Sequence, residues 1–202
     1  IDGSESKITV PDDIRLCLGT GNDLQIFHSG GNTYANNTVG DFYITNKADD
    51  KDIIFQSDDG SGGIETYFRL DGSFSAGDPY TVFPDNSNLA LGTGGDLNLK
   101  HNGTDSVIDN FTGDLYISNK ADDKDIIFRC DDGSGGYENY FYLDGSFSAG
   151  NPYTVFPDNS YLALGSSGDL LLYHTGTNSE LLNWTGDLYI KQQNNDGNIV
   201  IQ

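Results

Sequence analysis

Apolar and polar residues alternate along this chain in short runs. Asp96-Leu-Asn-Leu-Lys-His101, Asp114-Leu-Tyr-Ile-Ser118, Asp125-Ile-Ile-Phe-Arg-Cys130 and Glu138-Asn-Tyr-Phe-Tyr-Leu143 all read as strands. In the first run Leu97, Leu99 and His101 share one face while Asn98 and Lys100 share the other. In the second, Leu115 and Ile117 lie opposite Tyr116. An aliphatic face backed by a polar or tyrosine-bearing face is the pattern of a sheet buried on one side. Turn residues separate the runs at a spacing of about 8–12 residues, as in an antiparallel meander. No segment keeps an apolar period of about 3.6 residues, and 26 glycines along the chain leave little room for a helix. Gly-Asp before many runs has a local cause: glycine supplies positive φ, and aspartate accepts hydrogen bonds from the next backbone N–H groups. Pro79 with Pro84, and Pro152 with Pro157, bracket the Tyr-Thr-Val-Phe runs, which must therefore be edge strands or irregular.

The runs are organised by a repeat. Leu18-Gly-Thr-Gly-Asn-Asp-Leu-Gln-Ile-Phe-His28 returns as Leu91-Gly-Thr-Gly-Gly-Asp-Leu-Asn-Leu-Lys-His101 and as Leu164-Gly-Ser-Ser-Gly-Asp-Leu-Leu-Leu-Tyr-His174, both at an offset of 73 residues. Gly40-Asp-Phe-Tyr-Ile44, Gly113-Asp-Leu-Tyr-Ile117 and Gly186-Asp-Leu-Tyr-Ile190 keep the same offset, as do Pro11, Pro84 and Pro157. Residues 44–92 and 117–165 are identical at 41 of 49 positions without a gap, so both copies must fold alike. The chain divides into the tail of one repeat (1–15), two full repeats (16–88 and 89–161) and part of a third (162–202). It contains no methionine and neither end meets a repeat boundary, so the sequence reads as a fragment of a protein that continues both ways.

The expected fold class is all-β, a repetitive antiparallel meander of short strands. Three arrangements could cover its aliphatic faces: a solenoid, an extended single layer with little core, or packing with two other chains about a three-fold axis. A 73-residue unit is much longer than one solenoid coil, so the fibrous trimer is preferred. Any of the three is quasi-one-dimensional, each repeat meeting its neighbours.

Charge narrows the partners. Thirty-one acidic and 10 basic residues give a net charge of −21, which opposes binding to DNA, RNA or an anionic membrane surface. No run approaches the roughly 18–20 apolar residues of a membrane span, and Ile1–Lys7 does not have the pattern of a signal peptide. Leu, Ile, Val and Phe number 50, beside 12 Tyr, so the chain exceeds the composition at which folding fails.

Candidate chemistry is sparse. His28, His101 and His174 are the only histidines and hold one repeat position. In a parallel trimer three copies of one histidine could meet at the axis and hold an ion such as Zn²⁺ or Fe²⁺. The plainer expectation is a half-buried histidine at a strand end, bonded to a turn carbonyl. Asp49-Asp-Lys-Asp52 with Asp58-Asp-Gly60, and Asp122-Asp-Lys-Asp125 with Asp131-Asp-Gly133, offer oxygens of the kind calcium takes, but not in the spacing of an EF-hand or nonapeptide calcium repeat. Solvated turns are the simpler account. Tyr67, Tyr140, Tyr142, Tyr80, Tyr153, Tyr161 and Trp184 could form a stacking surface for glycans, although tyrosine is also a favoured strand residue. Cys17 aligns with Ala90 and Ala163, and Cys130 with Ser57, so buried free thiols are expected. No serine elbow, phosphate loop or Cys–His pair presents itself, and with so many acids a pair at glycosidase spacing would discriminate nothing. The chain is read as a non-enzyme without a bound cofactor.

The strings 18–32 and 40–44, with their counterparts 91–103, 112–117, 164–176 and 185–190, resemble repeats in tail-fibre and related virion proteins of marine bacteriophages, cyanophages especially. These motifs cover nearly half of the chain. Members of that family often end in a self-cleaving chaperone domain that assists trimerisation, and no stretch here matches it. The resemblance implies a structural, host-contacting segment of a virion appendage, extracellular and homo-oligomeric, with a host-surface glycan as a further partner. A carbohydrate-binding adhesin is the second reading, and a polysaccharide-degrading fibre enzyme the third.

Overall fold

The computed structural model describes residues 7–75, 77–147, 150–193 and 197–200, and among them there is no helix. Fifteen strands run in chain order: β1 Leu16–Leu18, β2 Leu24–Ser29, β3 Asn32–Asn37, β4 Ile53–Asp58, β5 Ile64–Asp71, β6 Tyr80–Val82, β7 Leu89–Leu91, β8 Leu97–His101, β9 Ser106–Asn110, β10 Ile126–Asp131, β11 Tyr137–Asp144, β12 Tyr153–Val155, β13 Leu162–Leu164, β14 Leu170–His174 and β15 Ser179–Asn183. They form five three-stranded antiparallel sheets, each made of three consecutive strands. The fold is therefore the all-β repetitive meander that the alternating runs predict. Each 73-residue repeat contributes two sheets of different character, one lined with leucine and one with phenylalanine.

The chain divides into two compact units, Ile1–Asp114 with β1–β9 and Leu115–Gln202 with β10–β15. Within each unit, strands approach one another closely only inside their own three-stranded sheets. The consequence is that no described hydrophobic side chain is buried. The chain keeps 16574 Å² accessible, against roughly 9,300 Å² expected for a folded monomer of 21.9 kDa.

In the leucine sheets β1–β2–β3, β7–β8–β9 and β13–β14–β15 the register sets the aliphatic residues side by side. Leu89 lies opposite Leu99, Leu91 opposite Leu97, and Leu99 opposite Ile108. Leu162, Leu164, Leu170, Leu172 and Leu181 repeat this in the third copy. This aliphatic face, which a solenoid would have covered within the chain, lies open: Leu91 and Ile108 are 50% and 59% exposed. The opposite face is the better covered one, through local pairs. Arg15 lies over the Phe27 ring, Phe27 stacks on Tyr34 at 4.9 Å, and Lys100 pairs with Asp109 at 3.1 Å. The β7–β8 turn explains the Leu-Gly-Thr-Gly string. Gly92 has φ +87°, and a Cβ there would fall on the Asp96 carboxylate.

The phenylalanine sheets cover themselves further. Phe128 stacks on Phe141 at 4.6 Å and Phe141 on Phe156 at 5.7 Å. Phe55, Phe68 and Phe83 repeat the stack at 4.5 and 5.8 Å. The proline-bracketed runs become β6 and β12, both edge strands.

Two expectations fail. The run 114–118, with its counterparts beginning at 41 and 187, lies outside every strand. Gly113 has φ +66°, and the Asn110 side chain donates to the carbonyls of Thr112 and Gly113, closing a turn directly after β9. The two cysteines are free but exposed, not buried. Cys17 sits between Leu16 and Leu18 on the opposite face of an edge strand, where no further layer covers it.

Candidate functional site

The junction from each phenylalanine sheet to the next leucine sheet builds the same cleft twice. Pro84-Asp-Asn-Ser87 and Pro157-Asp-Asn-Ser160 are turns, closed by Ser87 N–H donating to the Pro84 carbonyl and Ser160 N–H to the Pro157 carbonyl, each at 2.9 Å. One end of each turn is tied forward. Asn86 N–H donates to the His101 carbonyl at 2.8 Å and Asn159 N–H to the His174 carbonyl at 2.7 Å. The other end is tied back. The Ser87 hydroxyl donates to the Tyr67 carbonyl at 2.6 Å, and the Ser160 hydroxyl to that of Tyr140. Between turn and sheet lies a cleft of about 530 Å³ in the first repeat and about 620 Å³ in the second.

Asp59, Glu65, Tyr67 and Asp85 line the first cleft, and Asp132, Glu138, Tyr140 and Asp158 the second. Both tyrosines are fixed: Tyr67 donates its hydroxyl to the Asp58 carbonyl at 3.0 Å and Tyr140 to that of Asp131 at 3.1 Å. Each keeps 45% of its surface exposed. Asp59 is held below the usual carboxylate range by the Ser61 hydroxyl and then by the Ser61 N–H. The Ser134 hydroxyl and N–H do the same for Asp132. Both clefts thus keep ionised carboxylates in neutral water, beside carboxamides and an aromatic face. Such a site accepts hydrogen bonds from hydroxyl or ammonium groups and repels anions. The copies differ at the rim, where Tyr161 and Asn139 replace Asn88 and Thr66. Tyr161 leans on Tyr173 at 4.5 Å, and the Tyr173 hydroxyl donates to Glu180 at 2.6 Å, which raises its pKa.

Of the aromatic residues singled out from sequence, the structure brings Tyr140 and Tyr161 together in one cleft and places Tyr67 in the other. Tyr142 lies farther along β11, opposite Ile127 and Val155. Tyr80 and Tyr153 pair with Phe74 and Phe147 at 4.6 and 4.5 Å. Trp184, 67% exposed, stands just past β15, its N–H donating to the Asp169 carbonyl. Tyr142, Tyr153 and Trp184 are not among the residues lining the second cleft, nor Tyr80 among those lining the first. Glu138, Asp158 and Ser160 belong to the second cleft but were not singled out. The signal that could have found them is the unchanged Pro-Asp-Asn-Ser string after each aromatic strand.

The histidines do not share one environment. His28 Nδ1 lies 3.1 Å from the Thr33 hydroxyl, His101 Nδ1 3.1 Å from the Ser106 hydroxyl, and His174 Nδ1 2.9 Å from the Asp158 carboxylate. All three are exposed; the ring partners of His28 and His101 are side chains instead of the expected turn carbonyl, and His174 Nδ1 also lies 3.0 Å from the Gly176 N–H, a turn donor and not a turn carbonyl. Their own carbonyls, at least for His101 and His174, anchor the Pro-Asp-Asn-Ser turns. The acidic strings act as turn caps. Asp58 accepts from Gly60 N–H at 2.6 Å, and Asp52 accepts from Gly72 N–H at 3.0 Å while lying 3.5 Å from Arg69. Among the described residues, no three His, Cys, Asp or Glu side chains form a group that could hold a metal ion. No family model, curated protein or solved structure matches this chain.

Proposed function

We propose that this chain is a structural segment of a phage tail fibre or similar virion appendage. It works outside the cell, assembles with copies of itself as a trimer, and serves mechanically without catalysis. The observation that carries this reading is the open leucine face, repeated three times in a chain with no buried described hydrophobic residue. A sheet with one apolar face gains stability by burying that face against another element, which offsets the backbone entropy of about 1–2 kcal/mol per ordered residue. Other copies of the chain supply that cover. The motif resemblance supports reading that assembly as a fibre.

The test is the solution mass by sedimentation at low and high salt. A mass of three chains is expected, firmer at high salt, because a trimer gathers about 60 negative charges whose repulsion salt screens. A monomer at every salt concentration would overturn the proposal.

The paired clefts favour a second reading, attachment to a host glycan. Carboxylates and a tyrosine face suit a neutral or amino sugar and reject a sulfated or uronic one. A glycan array on the assembled protein should show that preference. Release of reducing ends from a bound polysaccharide would instead support an enzyme.

A further inference from the structure

We propose that His174 sets how firmly the second cleft holds a cationic sugar, by competing with the ligand for the Asp158 carboxylate. The proposal rests on the glycan reading above and names the ligand class and the control of that site. The lining of this cleft favours a cation. Asp132, Glu138 and Asp158 offer carboxylates, Tyr140 and Tyr161 offer ring faces, and no basic residue is among the described lining residues. Ring faces and carboxylates together are the chemistry that holds an ammonium group carried on a sugar.

His174 is not itself a lining residue, and it reaches the cleft in two ways. Its carbonyl accepts from Asn159 N–H at 2.7 Å and so anchors the turn. Its ring Nδ1 lies 2.9 Å from Asp158 Oδ1 and 3.0 Å from the Gly176 nitrogen. These two partners make opposite demands on one atom. The Gly176 N–H can donate only to a bare ring nitrogen, whereas a carboxylate needs a proton on it. A neutral ring can carry its proton on Nε2, accept from Gly176 and leave Asp158 to the cleft. A protonated ring has no such choice: it gives up Gly176 and donates to Asp158 in a pair of opposite charges. Histidine side chains take up that proton between about pH 8 and pH 5.

The groups around the ring leave Asp158 as its ionic partner. The residue opposite His174 on β15 is Ser179, and the next, Glu180, accepts the Tyr173 hydroxyl at 2.6 Å. Tyr161 leans on the same Tyr173. Residues 175–178 and strand β13 carry no ionisable side chain. In the first repeat the matching His101 turns its Nδ1 to the Ser106 hydroxyl at 3.1 Å. A hydroxyl serves either protonation state, because it both donates and accepts. The competition is therefore built at the second cleft. Its expected size is about fivefold in affinity, the effect of one exposed charge at about 4 Å in water. Asp132 keeps its own charge throughout, since the Ser134 hydroxyl and N–H hold it below the usual carboxylate range.

The experiment uses the full chain and two readouts. Without ligand, nuclear magnetic resonance follows the His174 ring, the Gly176 amide proton and the Asp158 carboxyl carbon between about pH 8 and pH 5. The last two should move with the midpoint of the ring. The binding probe is an oligomer of N,N,N-trimethylglucosamine, whose charge does not change with pH, titrated at fixed salt. Binding is read at the Tyr161 ring, because the first cleft has Asn88 at that position. Affinity should fall about fivefold across the same pH range in the parent. It should stay level in His174→Gln, which keeps the anchoring carbonyl. A Gly176 amide and an Asp158 carbon that ignore the titration of the ring overturn the proposal without any ligand. Binding that stays level in the parent, or falls as far in His174→Gln, overturns it and leaves the glycan reading standing. No binding of the probe at about pH 8 removes the cationic ligand and the control with it. Binding of an uncharged N-acetylglucosamine oligomer in that case would still keep the glycan reading.

Discussion

The two kinds of sheet in each repeat use their apolar residues in opposite ways. In β10–β11–β12 the rings of Phe128, Phe141 and, just past β12, Phe156 stack at 4.6 and 5.7 Å, so the central Phe141 is covered from both sides while Phe128 and Phe156 stay 41% and 38% exposed. In β7–β8–β9 the aliphatic residues meet only side by side, and Leu89, Leu91, Leu99 and Ile108 all stay exposed. A stacked aromatic pair adds about 0.5–1.5 kcal/mol beyond its buried area, while a lateral cross-strand pair contributes roughly 0.2–1 kcal/mol. Flat rings can shelter one another within a single layer. Branched aliphatic side chains that stand up from a sheet need a second layer. The phenylalanine sheet therefore covers a central ring of its own, whereas the leucine sheet leaves its face open, and only the proposed assembly would give that face other chains to meet.

The largest expected effect separates these roles. Leu99→Asp together with Leu172→Asp places a charge at the centre of two leucine faces, and the sedimenting mass should fall to that of one chain with the sheet signal retained. Unchanged mass would show that the leucine faces are not what the copies share. A smaller effect is expected from Phe68→Ala or Phe141→Ala. A fully buried ring costs about 3–5 kcal/mol when truncated, so these half-covered ones should cost about 2 kcal/mol in denaturant unfolding, with the assembled mass unchanged. If the phenylalanine variants dissociate the assembly and the leucine variants do not, the assignment of the two sheets is reversed.

How much of this was legible in the sequence depended on the range of the interaction involved. The period of two located β8, β10 and β11 to within a residue or so, because alternation is a property of adjacent positions. The flanking prolines correctly placed Tyr80–Val82 and Tyr153–Val155 at sheet edges, since a residue without an N–H cannot continue a ladder. The run 114–118 has the same alternation and is not a strand, because alternation alone does not decide pairing, and the Asn110 side chain closes a turn directly after β9. Sequence identified the aliphatic face but not its openness, which depends on what lies above it. The clefts were half visible. Their tyrosines are conspicuous, whereas the Ser87 hydroxyl that draws the turn onto Tyr67 acts across twenty residues that no periodicity links.

The smallest effect compares the two phenylalanine sheets at their aspartate turns. Asp71 is held below its ordinary pKa first by the Ser73 N–H and then by Arg69, whose Nε lies 2.9 Å away. Asp144 is held below by the Ser146 N–H first, then by the Phe147 N–H and the Ser146 hydroxyl, with no guanidinium, because the residue matching Arg69 is Tyr142. A carboxyl whose folded pKa is depressed stabilises the fold above its unfolded pKa and loses that contribution as pH falls through the folded value. The window therefore lies below about pH 4. Acidification also neutralises much of the net charge of −21, which relieves repulsion and acts in the opposite direction. The reading must then be a difference at equal pH. Between about pH 5 and pH 3, the thermal midpoint of the parent should fall relative to that of an Asp71→Asn, Asp144→Asn variant, whose turns have no proton to gain. Of the single variants, Asp71→Asn should lose more stability at neutral pH, because only that turn also gives up a guanidinium partner. Equal losses from Asp71→Asn and Asp144→Asn would mean that Arg69 adds nothing there, as many exposed ion pairs do not, and that both turns are held by the serine and backbone hydrogen bonds they share.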